Sequence, residues 1–151
     1  MLHLPAITIR LMPYCVREKI SDTMIIQNLG RIDVNLIKSE FGVPFTDEII
    51  VTGERLEHIK RRHQEDYFLF QQYGIEAIAN PDMIISDGKN DNTMFMIKRL
   101  PQTNLNVVVK VAVDIERPGY KNSVITFYRI RNRNVEKLKK KDGNKLLYTK
   151  E

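Results

Sequence analysis

The stretch NVVVKVAVD, residues 106 to 114, constrains the fold more than any other part of the chain. Val107, Val109, Val111 and Val113 recur at every second residue, the period of a β-strand, and β-branched side chains suit that pleated backbone. A strand side made only of valines faces a core. The other side carries Val108, Lys110, Ala112 and Asp114. An unpaired ammonium is costly to bury, so Lys110 belongs on an open face or at a core margin. Neighbouring segments have the same character. MIIS (83 to 86), TMFMIKRL (93 to 100) and SVITFYRI (123 to 130) read as strands. DGKNDN (87 to 92), PQTN (101 to 104) and PGY (118 to 120) supply turns that suit antiparallel links. EIIV (48 to 51) adds a short strand, and KLLY (145 to 148) a short edge strand.

The first half reads differently. TMIIQNLGRIDVNLIK (23 to 38) suggests a short strand, a turn at Gly30 and Arg31, then a helical stretch from Asp33 as N-cap, with Leu36, Ile37 and Phe41 at helical spacing. Gly42 and Pro44 end it. Thr52 offers an N-cap for a helix over about 53 to 64. A second helix is expected from Asp66 to Ala79, burying Tyr67, Phe70, Gly74, Ala77 and Ile78, with Asn80-Pro81 as its stop. NVEKLKK, residues 134 to 140, reads as a polar, frayed helix. The result is an α+β fold: N-terminal helices packed on one face of a C-terminal antiparallel β-sheet. Residues 1 to 22, broken by Pro5 and Pro13, read as a poorly ordered N-terminal extension. Residues 23 to 150 form one domain.

Composition narrows the setting. No apolar run is long enough to span a bilayer, so no membrane partner is expected. The first residues lack a basic leading region and a cleavage site, so no secretory leader is expected. The single cysteine, Cys15, excludes an internal disulfide and a cysteine-based zinc site, and points to a reducing, cytoplasmic location. Basic charge is concentrated at one end. Residues 129 to 151 hold nine Lys or Arg against three acids, whereas the whole chain nets only +5. Such a stretch suits a polyanion, most often nucleic acid.

HIKRRHQEDYF, residues 58 to 68, carries two of the three histidines. Leu56, Ile59 and His63 share one helical face. At 100° per residue His63 lies about 20° from Leu56 and about 140° from His58. That spacing carries His63 inward and leaves His58 on a flank. H-x4-H lacks the spacing and the third ligand of a zinc site, so neither a metal nor any other cofactor is expected. On the last strand, alternation sets Val124, Thr126, Tyr128 and Ile130 against Ser123, Ile125, Phe127, Arg129 and Arg131. It leaves open which side faces outward.

The segments EIIVT, ERLEHIKRRHQEDY, NPD and KNSVITFYRIRNRN follow one another in an order that resembles the phage-associated barnase/EndoU/colicin/RelE-like nuclease domains. GRIDVNLIKSEFG fits the N-terminal part of such domains, and the resemblance runs over about residues 25 to 150. It implies an α+β ribonuclease-type fold and RNA cleavage without a metal, the 2′-hydroxyl attacking the adjacent phosphorus. It also implies a phage- or mobile-element-encoded, toxin-like enzyme. His63 corresponds to the second histidine of the motif and is the leading proton-transfer candidate, with His58 beside it. Ser123 and Thr126 match the S-x-x-T spacing. Lys110, Arg129 and Arg131 are candidates for stabilising a charged phosphorane, and Thr126 for orienting the phosphate. Tyr128 could stack on a base. Arg62, Arg133, Lys137, Lys139 and Lys140 are candidate backbone contacts. Thr126 and Arg129 lie on opposite sides of a regular strand, so one cleft holds both only if a bulge or strand end intervenes. Two other readings suit the same residues: a catalytically silent nucleic-acid-binding module, and an interaction domain for an acidic partner such as an immunity or antitoxin protein.

Overall fold

The computed structural model describes residues 8 to 11, 25 to 113 and 121 to 150. The chain opens with β1 (Thr8–Leu11), which pairs antiparallel with β2 (Ile25–Arg31). The remainder of the expected N-terminal extension lies outside the described residues, as do Asp114 and the PGY link. Asp33 caps a short 3-10 turn (Val34–Leu36), its side chain accepting the Asn35 N–H at 3.0 Å. Helix α1 (Lys38–Phe41) ends at Gly42, whose φ of 79° suits a glycine. β3 (Glu48–Thr52) leads into α2 (Gly53–Arg62), with Thr52 accepting the Arg55 N–H at 3.1 Å. There follow α3 (Gln64–Ala79), β4 (Met83–Ser86), β5 (Thr93–Arg99), β6 (Asn104–Lys110), β7 (Asn122–Ile130), α4 (Asn132–Lys140) and β8 (Lys145–Thr149).

All eight strands form one sheet in the order β1-β2-β3-β7-β6-β5-β4-β8. Strands β4 to β7 make the antiparallel meander that the turn residues predict. One pair departs from it. β3 runs parallel to β7, with Ile49 beside Asn122 and Ile50 beside Ser123. Turn residues report only on strands joined in sequence, and this pair is joined through α2, α3 and the whole meander. Asn122 fastens the junction, its Nδ2 donating to the carbonyls of Thr46 and Glu48 while its Oδ1 accepts the Ala112 N–H. β8 lies on the outer edge against β4, with a break in register between Ile84 and Ile85.

Helices α2 and α3 pack on the face that carries Val107, Val109, Met94, Met96 and Phe127. The valine side of β6 is thus core, and Lys110 is exposed. Within this core Phe70 of α3 lies flat on Phe127 of β7, with ring centroids 3.9 Å apart and planes 6° from parallel. Both rings are fully buried. The opposite face is covered in part by α4, whose buried Val135 joins Met83, Ile85, Ile97 and Ile130. The expected fraying of this segment does not occur, because Val135 and Leu138 give the helix an apolar edge against the sheet.

Gly74 makes the Phe70–Phe127 stack fit. A Cβ there would stand 2.8 Å from the Phe70 ring, which cannot retreat because Phe127 fills the other side. Gly74→Ala gains about 1 kcal/mol of helix propensity but overpacks a closed site at a cost of about 1–3 kcal/mol. The expected result is a net loss of stability at constant m-value in urea unfolding. A more stable variant would mean that the ring has room to move.

Candidate active site

The α2–α3 junction is built by one residue. His63 leaves helical geometry, with φ −141° and ψ 73°, yet serves both helices. Its N–H donates to the Ile59 carbonyl at 2.7 Å and its own carbonyl accepts the Tyr67 N–H at 3.0 Å. Its side chain is exposed. The inward position expected from helical spacing is therefore corrected. α2 stops at Arg62, and a residue beyond the helix is released from the 100° rule. His58, Arg61 and Arg62 are also exposed, and the Lys60 ammonium sits 5.4 Å from the Tyr67 ring centroid.

The first turn of α3 reaches β7. Asp66, the one buried acid among the described residues, accepts from the Arg129 Nε at 2.6 Å and from the Arg129 backbone N–H at 3.4 Å. Glu65 takes the Arg129 Nη1 at 2.6 Å. The Asp66 carboxylate, helped by Glu65, holds the Arg129 guanidinium above its ordinary value, so it stays charged and fixed in direction. Asp66 and Glu65 were absent from the residues singled out in the sequence. An acid in a first helical turn is explained by the helix dipole alone, so nothing there pointed across to β7. Beyond Arg129 the strand ends at Ile130, and Arg131 is the residue that links it to α4.

The other face of β7 carries a second group. A bulge interrupts the pairing with β6, so that Val109 lies opposite Val124 and Val108 opposite Thr126. Ile125 is the extra residue. Regular alternation puts Ser123 and Thr126 on opposite sides; the bulge brings both to the face opposite α2 and α3. Tyr128 and Lys110 share that face, Lys110 lying directly across from Ser123. The Lys110 ammonium donates to the Asp91 carbonyl at 2.9 Å. The Tyr128 hydroxyl accepts from Asn106 Nδ2 at 3.0 Å. Asn106 is fully buried, and its Oδ1 has no protein partner among the described residues. Its one signal in the sequence is an amide heading a valine run, where strand propensity disfavours it.

The candidates thus fall into two groups. His63 heads α3, whose first turn clamps Arg129 near the C-terminal end of β7, Arg131 follows that strand, and His58 and Arg62 lie on the adjoining helix. Lys110, Ser123, Thr126 and Tyr128 lie on the opposite face. Lys110 faces Ser123, six residues before Arg129, which is about 20 Å of extended strand. The expected joint grip of Lys110 and Arg129 on one phosphorane is therefore corrected. The two groups share one boundary. β3 pairs with β7 only at Asn122 and Ser123, so among the described residues no strand lies along that edge of β7 from Val124 onward. Helix α2, which starts where β3 ends, also contacts β7.

On α4, Arg133, Lys137 and Lys140 recur at helical spacing on the side away from Val135 and are exposed. Lys139 is half-buried and pairs with Glu136 at 3.5 Å. Among the described residues no three His, Cys, Asp or Glu side chains gather as a metal-ligand set, and no helix is long and apolar enough to cross a membrane.

Burial pushes the Tyr128 hydroxyl above its ordinary value of 10.0, the Asp87 charge adds to this, and the Asn106 hydrogen bond partly offsets both. The stability held by the neutral phenol is complete below pH 10.0 and is lost as pH rises through the shifted value. A phenolate absorbance titration of wild type minus Tyr128→Phe should show a group ionising above 10.0. A group ionising at or below that value would contradict the buried setting.

A family model described as phage-Barnase-EndoU-ColicinE5/D-RelE like nuclease3 matches residues 27–148. No curated protein and no solved structure matches the chain. The matched span includes α2, α3, the meander, α4 and nearly all of β8, and so contains both groups of candidate residues. The chain belongs to the phage-Barnase-EndoU-ColicinE5/D-RelE like nuclease3 family, nucleases of the barnase, EndoU, colicin and RelE type.

Proposed function

We propose that this protein is an endoribonuclease that cuts RNA without a metal ion, by transphosphorylation. A base takes the proton of the 2′-hydroxyl. The 2′-oxygen then bonds to phosphorus, the bond from phosphorus to the 5′-oxygen breaks, and an acid returns a proton to that oxygen. The product is a 2′,3′-cyclic phosphate and a free 5′-hydroxyl. His63 and His58 share the acid and base roles. Arg129 and Arg131 stabilise the charge that grows on the non-bridging oxygens.

The observation that carries this reading is the exposed His63 at the helix junction, just ahead of the turn that clamps Arg129. A solvent-exposed imidazole three residues ahead of the acid that clamps a guanidinium suits proton transfer to and from a bound phosphodiester. The candidate groups are imidazoles, guanidiniums, an ammonium and hydroxyls, all able to serve without a bridging cation. The RNA strand lies across the β3-side edge of β7. Thr126 orients a phosphate and Tyr128 stacks a base on the far face, with Ser123 and Lys110 further along. Arg133, Lys137 and Lys140 hold the backbone beyond, and Lys139 adds to their field. A soluble, toxin-like role in the cytoplasm accords with these properties.

Two experiments test it. Cleavage of a mixed RNA should persist in EDTA and yield cyclic phosphate ends. His63→Ala should lower kcat/KM by about 10²–10⁴-fold with an unchanged melting temperature, because the ring is exposed. Activity abolished by EDTA, or untouched by His63→Ala and His58→Ala together, would sink the mechanism. Binding without cleavage would point to a silent module, and tight binding of an acidic protein alone to an interaction domain. Separately, Arg133→Ala/Lys137→Ala/Lys140→Ala should reduce the slope of log Kd against log salt by about 2, from about 0.7 per lost contact to a single strand. An unchanged slope would remove α4 from the RNA path.

A further inference from the structure

At the end of β7 an open hollow of about 550 Å³ is lined by Gln102, Thr103, Arg129, Arg131 and Asn134. Three elements build it. The β5–β6 turn supplies Gln102 and Thr103, closed by the Leu100 N–H bonding to the Thr103 carbonyl at 2.9 Å. The end of β7 supplies Arg129, the residue that follows the strand is Arg131, and the first turn of α4 supplies Asn134. Its size lies within the range of small-molecule sites.

The lining is unusual for an anion site. Arg129 is paired with Glu65 and Asp66, so the hollow is not lined by unopposed positive charge alone. What remains is two amides, a hydroxyl and the Arg131 guanidinium. None of these side chains has a hydrogen-bond partner in the described residues. A primary amide presents a donor and an acceptor side by side, which matches the edge of a nucleobase better than a phosphate. A guanidinium is planar and stacks on aromatic faces. The neighbouring edge residues are held firmly. Asn104 Nδ2 bonds to the Ile130 carbonyl at 3.0 Å and to the Asn132 Oδ1 at 2.8 Å, fixing strand end to helix start.

We propose that this hollow is a nucleobase subsite for the nucleotide next to the cut, with Gln102 and Asn134 reading the base edge and Arg131 stacking on its face. The assignment rests on the ribonuclease reading and gives it a source of sequence preference. Arg129 links the two, since it lines the hollow and is clamped by the turn that follows His63.

The test is binding of fully 2′-O-methylated RNA tetramers, which lack the attacking hydroxyl, followed by fluorescence anisotropy on the wild-type chain. Four tetramers differing at one base should span about tenfold in Kd, the discrimination expected of a bidentate amide contact. Gln102→Ala/Asn134→Ala should narrow that span to below about twofold. Arg131→Lys keeps the charge but loses the plane, and should weaken all four while leaving an abasic tetramer unchanged. Unfolding curves confirm that each variant is folded. Equal affinity of the wild type for all four, or a preference that survives the double variant, overturns the subsite. If RNA is still cut in that case, only the subsite fails. If base-selective binding is seen but no RNA is cut, the ribonuclease reading fails and the subsite stands.

Discussion

Phe70 lying flat on Phe127 is the contact that sets the geometry of everything around it. It seats α3 on the central strand at one height. The first turn of α3 then falls level with the end of β7, where Asp66 meets Arg129 through both its side chain and its backbone N–H. The junction residue just ahead of that turn has no choice of place. His63 is exposed at the end of β7 because α3 is fixed there, and α3 is fixed because two rings and a missing side chain at Gly74 fill one closed space.

The opposite end of α3 is also held by charge. The Lys98 ammonium donates to the Asn80 carbonyl at 2.9 Å, with Asp82 at 3.6 Å and Glu76 at 3.7 Å. Asp82 also accepts the Arg99 N–H at 2.8 Å. Lys98 is mostly buried, at 13% exposure, so its remaining acids and carbonyl are what make its position tolerable. The helix is thus fastened to β7 at its start and to the β4–β5 pair at its finish. The stacked ring lies between the two fastenings.

Much of this was legible in the residues. The valine alternation of β6 identified the core face, Thr52 and Asp33 were read as caps, and the strands β4, β5 and β7 lie where β-branched and aromatic runs put them. The α+β arrangement follows from that order. What was not legible has a common cause: each depends on a contact distant in sequence. The parallel β3–β7 pair leaves no turn to read. The bulge at Ile125 is set by pairing with β6, and no local residue announces it, yet it moves Ser123 to the side of Thr126. The position of His63 turned on where α2 stops, one residue short of where periodicity carried it. Asp66 opens the predicted second helix, and its partner Arg129 lies 63 residues away in sequence.

The outer strand β8 has a consequence of its own. Among the described residues it is the last strand on that margin of the sheet. Lys145 opens it and Lys150 follows it, bonded to Glu40 at 3.4 Å and to Asp82 at 3.6 Å, and its register with β4 breaks partway along. Positive charges and an uneven backbone are how exposed margins refuse a second ribbon from a neighbouring copy. That margin of the sheet is thus poorly suited to edge-to-edge pairing with the same strand of a second copy.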